Sequence, residues 1–349
     1  MALATQQHKT SAATEPGIST QPTPERFFNA INAHQQTAAM KAAVELEIFT
    51  AIAEGNATAP AIAGRCRVAE RGARILCDFL AIHGFLSKQG ERYSNAPDAE
   101  LFLNHHSPAY IGGAIEFLLT SHLRQAHGEL TEAVRRGGTA IGQGTLEPEN
   151  PDWVKFAKAM APLVGMPAQM MAAELRKGGE SRKVLDIAAG HGMFGIAVAL
   201  QNPAAHIYAA DWKNVLEVAQ QNAANAGISS RYHVLPGSAF ETDFGRDFDL
   251  VLIPNFLHHF DIPACTRFLG KAHASLQSGG RAAIAEFIPN PDRISPPTTA
   301  AFSMMMLATT PAGDAYTLAE YEQMLHNAGF SRSELSIDMG LNRLLIAYK

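Results

Sequence analysis

Charge of one sign, cysteine and long apolar runs are all scarce in this chain, and each scarcity removes a class of protein. The 28 basic and 33 acidic groups leave a formal charge of −5, without the positive excess that binding to phosphate-rich partners requires. Three cysteines, Cys66, Cys77 and Cys265, are too few and too scattered for a disulfide framework or a zinc ribbon. No apolar run approaches the roughly 18–20 residues that span a bilayer, and the first residues lack the charged-then-apolar order of a secretory signal. What is abundant is core material. Of the 349 residues 47% are hydrophobic and only 17% charged, enough to pack one large domain or two ordinary ones. The expectation is a soluble, cytosolic protein that is ordered over most of its length.

Residues 1–24 are Ser, Thr, Ala, Gln and Pro with scarcely a large apolar side chain, so they read as a disordered tail. Met40, Val44, Ile48 and Ile52 then recur every four residues and predict one helix with a single apolar face. Thr58 before Pro60 marks a second helix start. Ile75, Leu76, Phe79, Leu80 and Ile82 place a third helix ending at Gly84. Phe85–Lys88 and Glu91–Ser94 flank Gln89-Gly90 as a hairpin. Three helices and a two-stranded wing are the order of a winged-helix domain, here residues 25–110. Its third helix, about Glu70–His83, would be the DNA reader in such a fold. Residues 1–110 nevertheless hold nine Lys or Arg against ten Asp or Glu, too neutral for phosphate contacts. A dimerisation module, and hence a homodimer with no nucleic-acid partner, is the reading that remains.

Residues 111–180 read as a helical connecting region, with Gly137–Asn150 and its five glycines or prolines as the best linker. The stripe Trp153, Phe156, Met160, Leu163, Met166, Met170 and Met171 fits core packing, or the wall of an adaptable apolar pocket. From about residue 181 short apolar strands alternate with helices: Val184–Ile187, Ile207–Ala210, Tyr232–Leu235, Phe248–Ile253 and Arg281–Phe287. The pattern predicts an α/β, Rossmann-like, mostly parallel sheet. The last two strands, near Glu334–Ile337 and Arg343–Tyr348, have no helix between them, so the final one inserts antiparallel.

Val184-Leu185-Asp186-Ile187-Ala188-Ala189-Gly190-His191-Gly192 is an apolar strand running into a small-residue turn that opens a helix. Small residues admit a ligand close to the backbone, and the helix start offers unpaired N–H groups. Gly190, Gly192 and Gly195 satisfy G-x-G-x-x-G formally, so a dinucleotide remains an alternative. Asp186 ahead of the glycines suits a cationic ligand better than a polyphosphate. Asp211, 25 residues on at the end of the second strand, stands where an acid accepts hydrogen bonds from ribose hydroxyls; Trp212 adjoins it. Gly237-Ser238-Ala239-Phe240 follows the third strand and Asn255-Phe256-Leu257-His258-His259-Phe260 the fourth. All four segments lie at strand carboxyl ends, where open parallel sheets bind ligands. His258 is the candidate proton acceptor, its ordinary pKa being suited to work near neutrality.

With these residues in this order, together with Leu257-His258 and Glu286, the sequence from about residue 25 to 349 resembles the caffeate- and chalcone-type O-methyltransferases. The resemblance implies a seven-stranded class I methyltransferase domain over residues 181–349 and S-adenosyl-L-methionine as cofactor. It also implies His258 as general base and Glu286, 28 residues later, as the acid supporting it. The implied cofactor site comprises Asp186, Ala188, Gly190, Gly192, Asp211, Trp212, Ser238, Ala239, Phe240 and Asn255. The sequence departs from the family pattern at several points. Alanines replace glycines in the turn, Ser238 replaces an acid, Pro254 stands where plant enzymes often have Lys, and His259 stands where the family has an acid. Ala315 replaces a second supporting Glu, for which Asp314 or Tyr316 could substitute. Met160, Met166, Met170, Phe302 and Met304–Met306 are the candidate walls of a pocket for a small hydroxylated acceptor. Methylation of sulfur or carbon, a ligand-sensing regulator and an NAD-dependent oxidoreductase are the competing readings. The pair His258-His259 with Asp261 lacks further ligands at recognisable spacing, so no metal is expected.

Overall fold

The computed structural model describes residues 22–147 and 149–349, so most of the expected N-terminal tail lies outside the described residues. The chain forms two compact units that part between Ala99 and Glu100. Among the described residues no helix is long and apolar enough to cross a membrane.

In the first unit the four-residue apolar repeat is split. Helix α1 (Glu25–Glu45) stops, Glu47 takes a left-handed φ of 55°, and α2 (Ile48–Ala53) restarts. Val44, Ile48 and Ile52 all stay buried, so the apolar stripe survives while the single helix expected from it does not. Arg65, on α3 (Ala59–Cys66), fixes the break by pairing with Glu47 at 2.9 Å and Glu54 at 2.6 Å. Thr58 precedes α3 in extended conformation, with Pro60 in its first turn. Helix α4 (Glu70–Ile82) buries Ala73, Cys77 and Leu80, whereas Ile75 and Ile82 are exposed. Of the apolar residues that mark this helix, Leu80 is buried and Leu76 and Phe79 are half-buried. Strands β1 (Leu86–Gln89) and β2 (Arg92–Asn95) pair Gln89 with Arg92. The turn is Gly90-Glu91, one residue later than expected, with Gly90 supplying φ 58°.

Helix α5 (Pro97–Leu103) leads to α6 (Ile115–Leu118), α7 (Ser121–Gly128) and α8 (Leu130–Arg136), and α9 (Asp152–Lys177) follows. The stretch expected to be a linker between α8 and α9 is packed instead. A Cβ on Gly138 would collide with the Pro311 carbonyl, and one on Gly144 with the Thr309 carbonyl. The Thr139 N–H donates to Thr310 O at 2.8 Å. Gly138 has an ordinary negative φ, so the constraint there is purely one of space. Gly138→Ala should lower unfolding free energy by about 1–3 kcal/mol, the usual cost of overpacking, as measured by urea denaturation.

The sheet of the second unit is built from β3 (Lys183–Ile187), β4 (His206–Asp211), β5 (Tyr232–Pro236), β6 (Phe248–Pro254), β7 (Leu276–Glu286), β8 (Arg332–Asp338) and β9 (Arg343–Tyr348). Their spatial order is β5-β4-β3-β6-β7-β9-β8. The first five run parallel, and β9 lies antiparallel between β7 and β8. Val184, Leu185, Asp186 and Ile187 are buried because both faces of the sheet are covered. On one face α9, α10 (Met193–Gln201) and α11 (Lys213–Asn225) pack around Met171, Phe194 and Leu216. On the other, α12 (Ile262–Ser275) contributes Phe268 and Leu269. Helix α13 (Pro297–Thr309), for which the sequence gives no clear period, precedes α14 (Leu318–Asn327). Strand order reverses between β3 and β6, and that switch point opens the crevice in which open α/β sheets bind ligands.

Candidate active site

The turn after β3 is bent by three left-handed residues, Ala188 (φ 49°), Gly190 (58°) and Gly192 (75°). An alanine in that region carries a steric cost of about 1–2 kcal/mol, so Ala188 is held there by its surroundings. Asp211 does part of the holding. Its carboxylate accepts from the Gly190 N–H at 2.8 Å and the Trp212 N–H at 2.7 Å, and so joins the ends of β3 and β4. Asp186 lies fully buried behind the turn, where Oδ2 accepts from the Gly195 N–H at 3.0 Å. A Cβ on Gly195 would sit 2.7 Å from that oxygen. Gly195 is thus needed for close packing of α10 on Asp186, a role its formal motif position did not reveal. The second Asp186 oxygen is buried with no hydrogen-bond partner, as is the Tyr232 hydroxyl. Burial pushes the Asp186 carboxyl up to about 8, and the Asp211 carboxyl up to about 6. His191, also buried, is pushed down to about 4; its Nδ1 accepts from the Met193 N–H at the start of α10.

The turn after β5 joins the same rim, because the Gly237 N–H donates to Asp211 O at 2.9 Å. Ser238 closes this turn by accepting from the Glu241 and Thr242 N–H groups. The Ala239 carbonyl is held by Lys271 at 2.9 Å. The Phe240 ring packs on Phe260, Phe268 and Phe256 at 4.9, 5.5 and 6.2 Å between centroids. Asn255 adopts a positive φ of 52°, and its side chain accepts from Asn342 at 2.8 Å. That contact to the β8–β9 connection is one the local sequence does not signal.

His258 stands on a short 3-10 turn, Leu257–His259, just past β6. Glu286 ends β7, the neighbouring strand. Parallel pairing of those strands brings together two residues 28 apart in sequence: Nδ1 of His258 lies 2.6 Å from Glu286 Oε2, with 3% and 0% of the residues exposed. The other carboxylate oxygen accepts from the backbone N–H groups of Phe256 and Leu257 at 2.9 and 2.8 Å. A carboxylate only accepts, so Nδ1 carries the proton shared in this pair, and the tautomer of the neutral ring has its lone pair on Nε2. Phe302 meets the ring edge-on at 4.9 Å and itself stacks on Phe287 at 3.8 Å. Asp314 is turned to Arg293, and the Tyr316 hydroxyl donates to Phe260 O at 2.6 Å. Among the described hydrogen bonds, neither replaces the missing second Glu beside His258. Of the expected pocket methionines, Met166, Met170 and Met304 are exposed and Met306 is buried. The arrangement can accept a proton on Nε2 and stabilise the resulting imidazolium in an apolar enclosure.

A seven-stranded sheet of this order, with a glycine turn and acid at the switch point, defines a class I S-adenosylmethionine-dependent methyltransferase. Within that class, residues 129–331 match the O-methyltransferase domain family, and residues 28–105 match the O-methyltransferase dimerisation domain. The chain belongs to this O-methyltransferase family, whose reaction is S-adenosylmethionine-dependent methyl transfer. A candidate O-methyltransferase of Nostoc punctiforme, known as a crystal structure, is 53% identical, with a TM-score of 0.92 over 94% of this chain and 100% of that one. The 3-hydroxy-5-methyl-1-naphthoate 3-O-methyltransferase of Streptomyces sahachiroi is 29% identical over 305 residues, 85% of this chain and 86% of its own. Human N-acetylserotonin methyltransferase, solved in complex with S-adenosylmethionine, shares the fold at 20% identity. Its TM-score is 0.82 over 95% of this chain and 99% of that one.

Proposed function

We propose that the enzyme methylates a hydroxyl group on a small aromatic acceptor, with His258 as general base and Glu286 as the group that orients it. The buried His258–Glu286 pair carries this reading, since it ties up Nδ1 and makes Nε2 the base atom, beside phenylalanine walls suited to an aromatic ring. The naphthoate specificity of the Streptomyces relative is in keeping with such an acceptor.

Asp186, Ala188, Gly190, Gly192, Asp211, Trp212, Ser238, Ala239, Phe240 and Asn255 are proposed to bind S-adenosylmethionine. The turn residues fit it: Gly190 leaves the rim without a side chain, Gly192 lets the turn pack on Tyr232 and Ala219, and the orphaned buried Asp186 oxygen is a group that a bound cation would help to ionise. Asp211, at the end of β4, would accept from the ribose hydroxyls. When bound, the cofactor supplies an electrophilic methyl group on sulfur. His258 takes the acceptor proton on Nε2, worth about 10²–10⁴-fold in rate, and Glu286 stabilises the imidazolium and preserves the tautomer. Alignment within the crevice contributes through orientation.

We further assign residues 25–110 to a winged-helix-like homodimerisation domain, 111–180 to the acceptor-pocket region and 181–349 to the methyltransferase domain. Three unpaired cysteines are compatible with a reducing, cytoplasmic setting. The test is a panel of hydroxylated aromatics incubated with methyl-labelled cofactor. Label should appear as an acid-stable aryl methyl ether; label found only on carbon or sulfur would overturn the reading. In the same preparation, Asp211→Ala should weaken S-adenosylhomocysteine binding by about 1–3 kcal/mol, measured by calorimetry.

The raised carboxyls set a pH dependence. In the free chain Asp186 and Asp211 retain protons that the unfolded chain gives up near pH 4. Below about pH 6.5 the buried His191 and His259, uncharged in the folded state, offset this contribution; between about pH 6.5 and 8 the folded state binds more protons through Asp186, and stability falls as pH rises. The melting temperature of cofactor-free protein should decline from about pH 6.5 to pH 8.

A further inference from the structure

We propose that His259 reads the acceptor: Thr145 holds its ring as the Nδ1–H tautomer, so that Nε2 accepts a hydrogen bond from a second donor group on the molecule being methylated. The inference deepens the reading of His258 as base and rests on it for the location of the acceptor.

The tautomer follows from counting protons. Thr145 Oγ1 lies 3.2 Å from the Thr309 carbonyl and 3.4 Å from His259 Nδ1. A hydroxyl has one proton to give, and a carbonyl can only accept. Thr309 ends α13 and is buried, so turning the hydroxyl towards His259 would orphan that carbonyl away from water. The Thr145 proton therefore goes to Thr309, and its oxygen accepts a long bond from the Nδ1–H of His259. Thr145 cannot easily drift, because its own carbonyl accepts from the Trp153 indole N–H at 3.1 Å. The preceding Gly144, at φ 60°, presses against the same Thr309 carbonyl.

The ring is also neutral. It sits 4.3 Å from the His258 ring and is walled edge-on by Trp153 at 5.4 Å. Burial, then the neighbouring His258, push its protonation well below the ordinary histidine range. Glu286 directs the charge of the pair to His258 during turnover. A neutral ring with Nδ1 protonated has one remaining polar function, the lone pair on Nε2. Among the described hydrogen bonds none takes it up. His259 is only partly buried, and its ring adjoins that of the base. Where an acid would attract cations and donors alike, this ring rewards a neutral donor, such as a second hydroxyl or an amide N–H. Thr145 is a positioning residue that acts through His259.

The experiment uses the full chain saturated with S-adenosylhomocysteine. Histidine ¹⁵N–¹H correlation spectra, with His259 signals identified by their loss in His259→Asn, should show Nδ1 protonated and Nε2 bare. Thr145→Val should give a mixture of tautomers. Calorimetry with 1,2-dihydroxynaphthalene and 2-naphthol should show the diol bound about tenfold more tightly, the scale of one added hydrogen bond, and His259→Phe should shrink that preference to about twofold. An Nε2-protonated His259 in the unaltered chain, or the diol and naphthol binding equally well or not at all, would overturn the proposal. The tautomer is read without turnover, so its failure is separate from any failure of His258 as base.

Discussion

Replacing His258 with alanine should lower kcat by about 10²–10⁴-fold, the range for loss of a positioned general base, while S-adenosylhomocysteine affinity stays close to that of the parent enzyme. The separation of effects follows from the layout. His258 follows β6 and hydrogen-bonds to the end of β7, whereas the proposed cofactor acid Asp211 joins the turn after β3 to the end of β4. Removing the imidazole leaves that turn and its hydrogen bonds in place. His259→Ala should cost much less in kcat, because its ring is bonded to Thr145 rather than to the carboxylate. Steady-state kinetics beside calorimetric titration of each variant distinguish these outcomes. A large rise in Kd with unchanged kcat for His258→Ala would move the residue from catalysis to binding.

The second large effect concerns Glu286, which is fully buried and occupied on both oxygens. Glu286→Leu leaves the Phe256 and Leu257 N–H groups without a partner. Each buried orphan costs about 1–3 kcal/mol, so unfolding free energy should drop by about 2–5 kcal/mol, with release of the buried charge offsetting part of the loss. Glu286→Gln makes a different prediction. Its carbonyl oxygen can still serve the two N–H groups, but the amide then presents a donor to His258. That favours a proton on Nε2, the wrong tautomer for a base. kcat should fall by about 10–10³-fold, between the His259 and His258 effects, while stability changes little. Denaturant titration and kinetics on both variants provide the check. Equal stability of the Leu variant and the parent enzyme would mean that the two N–H groups find other partners.

Much of the sheet was legible because parallel strands buried on both faces read as near-continuous apolar runs, as Val184–Ile187 and Phe248–Ile253 do but for Asp186 and Asp249. The His258–Glu286 spacing was legible only through family resemblance: nothing local says that the ends of β6 and β7 are neighbours. Other features leave no local trace. Gly138 and Gly144 looked like linker residues because their need for close approach arises from carbonyls at Pro311 and Thr309, far along the chain. The helix break at Glu47 preserves the apolar repeat, so periodicity alone could not reveal it. Thr145 stood in the supposed linker and offered no motif at all, yet it bonds to His259. Asn342 likewise reaches Asn255 only through the folding of the β8–β9 hairpin.

The central claim is that His258 removes a proton from the acceptor oxygen. It is tested most directly by the ratio of wild-type to His258→Ala rates across phenols or naphthols of decreasing pKa, at fixed pH and saturating cofactor. An acceptor that ionises unaided needs no base, so the ratio should fall steadily towards one along the series. A ratio that stays constant from the least to the most acidic acceptor would contradict proton removal by His258 and reduce the residue to a structural part of the pocket.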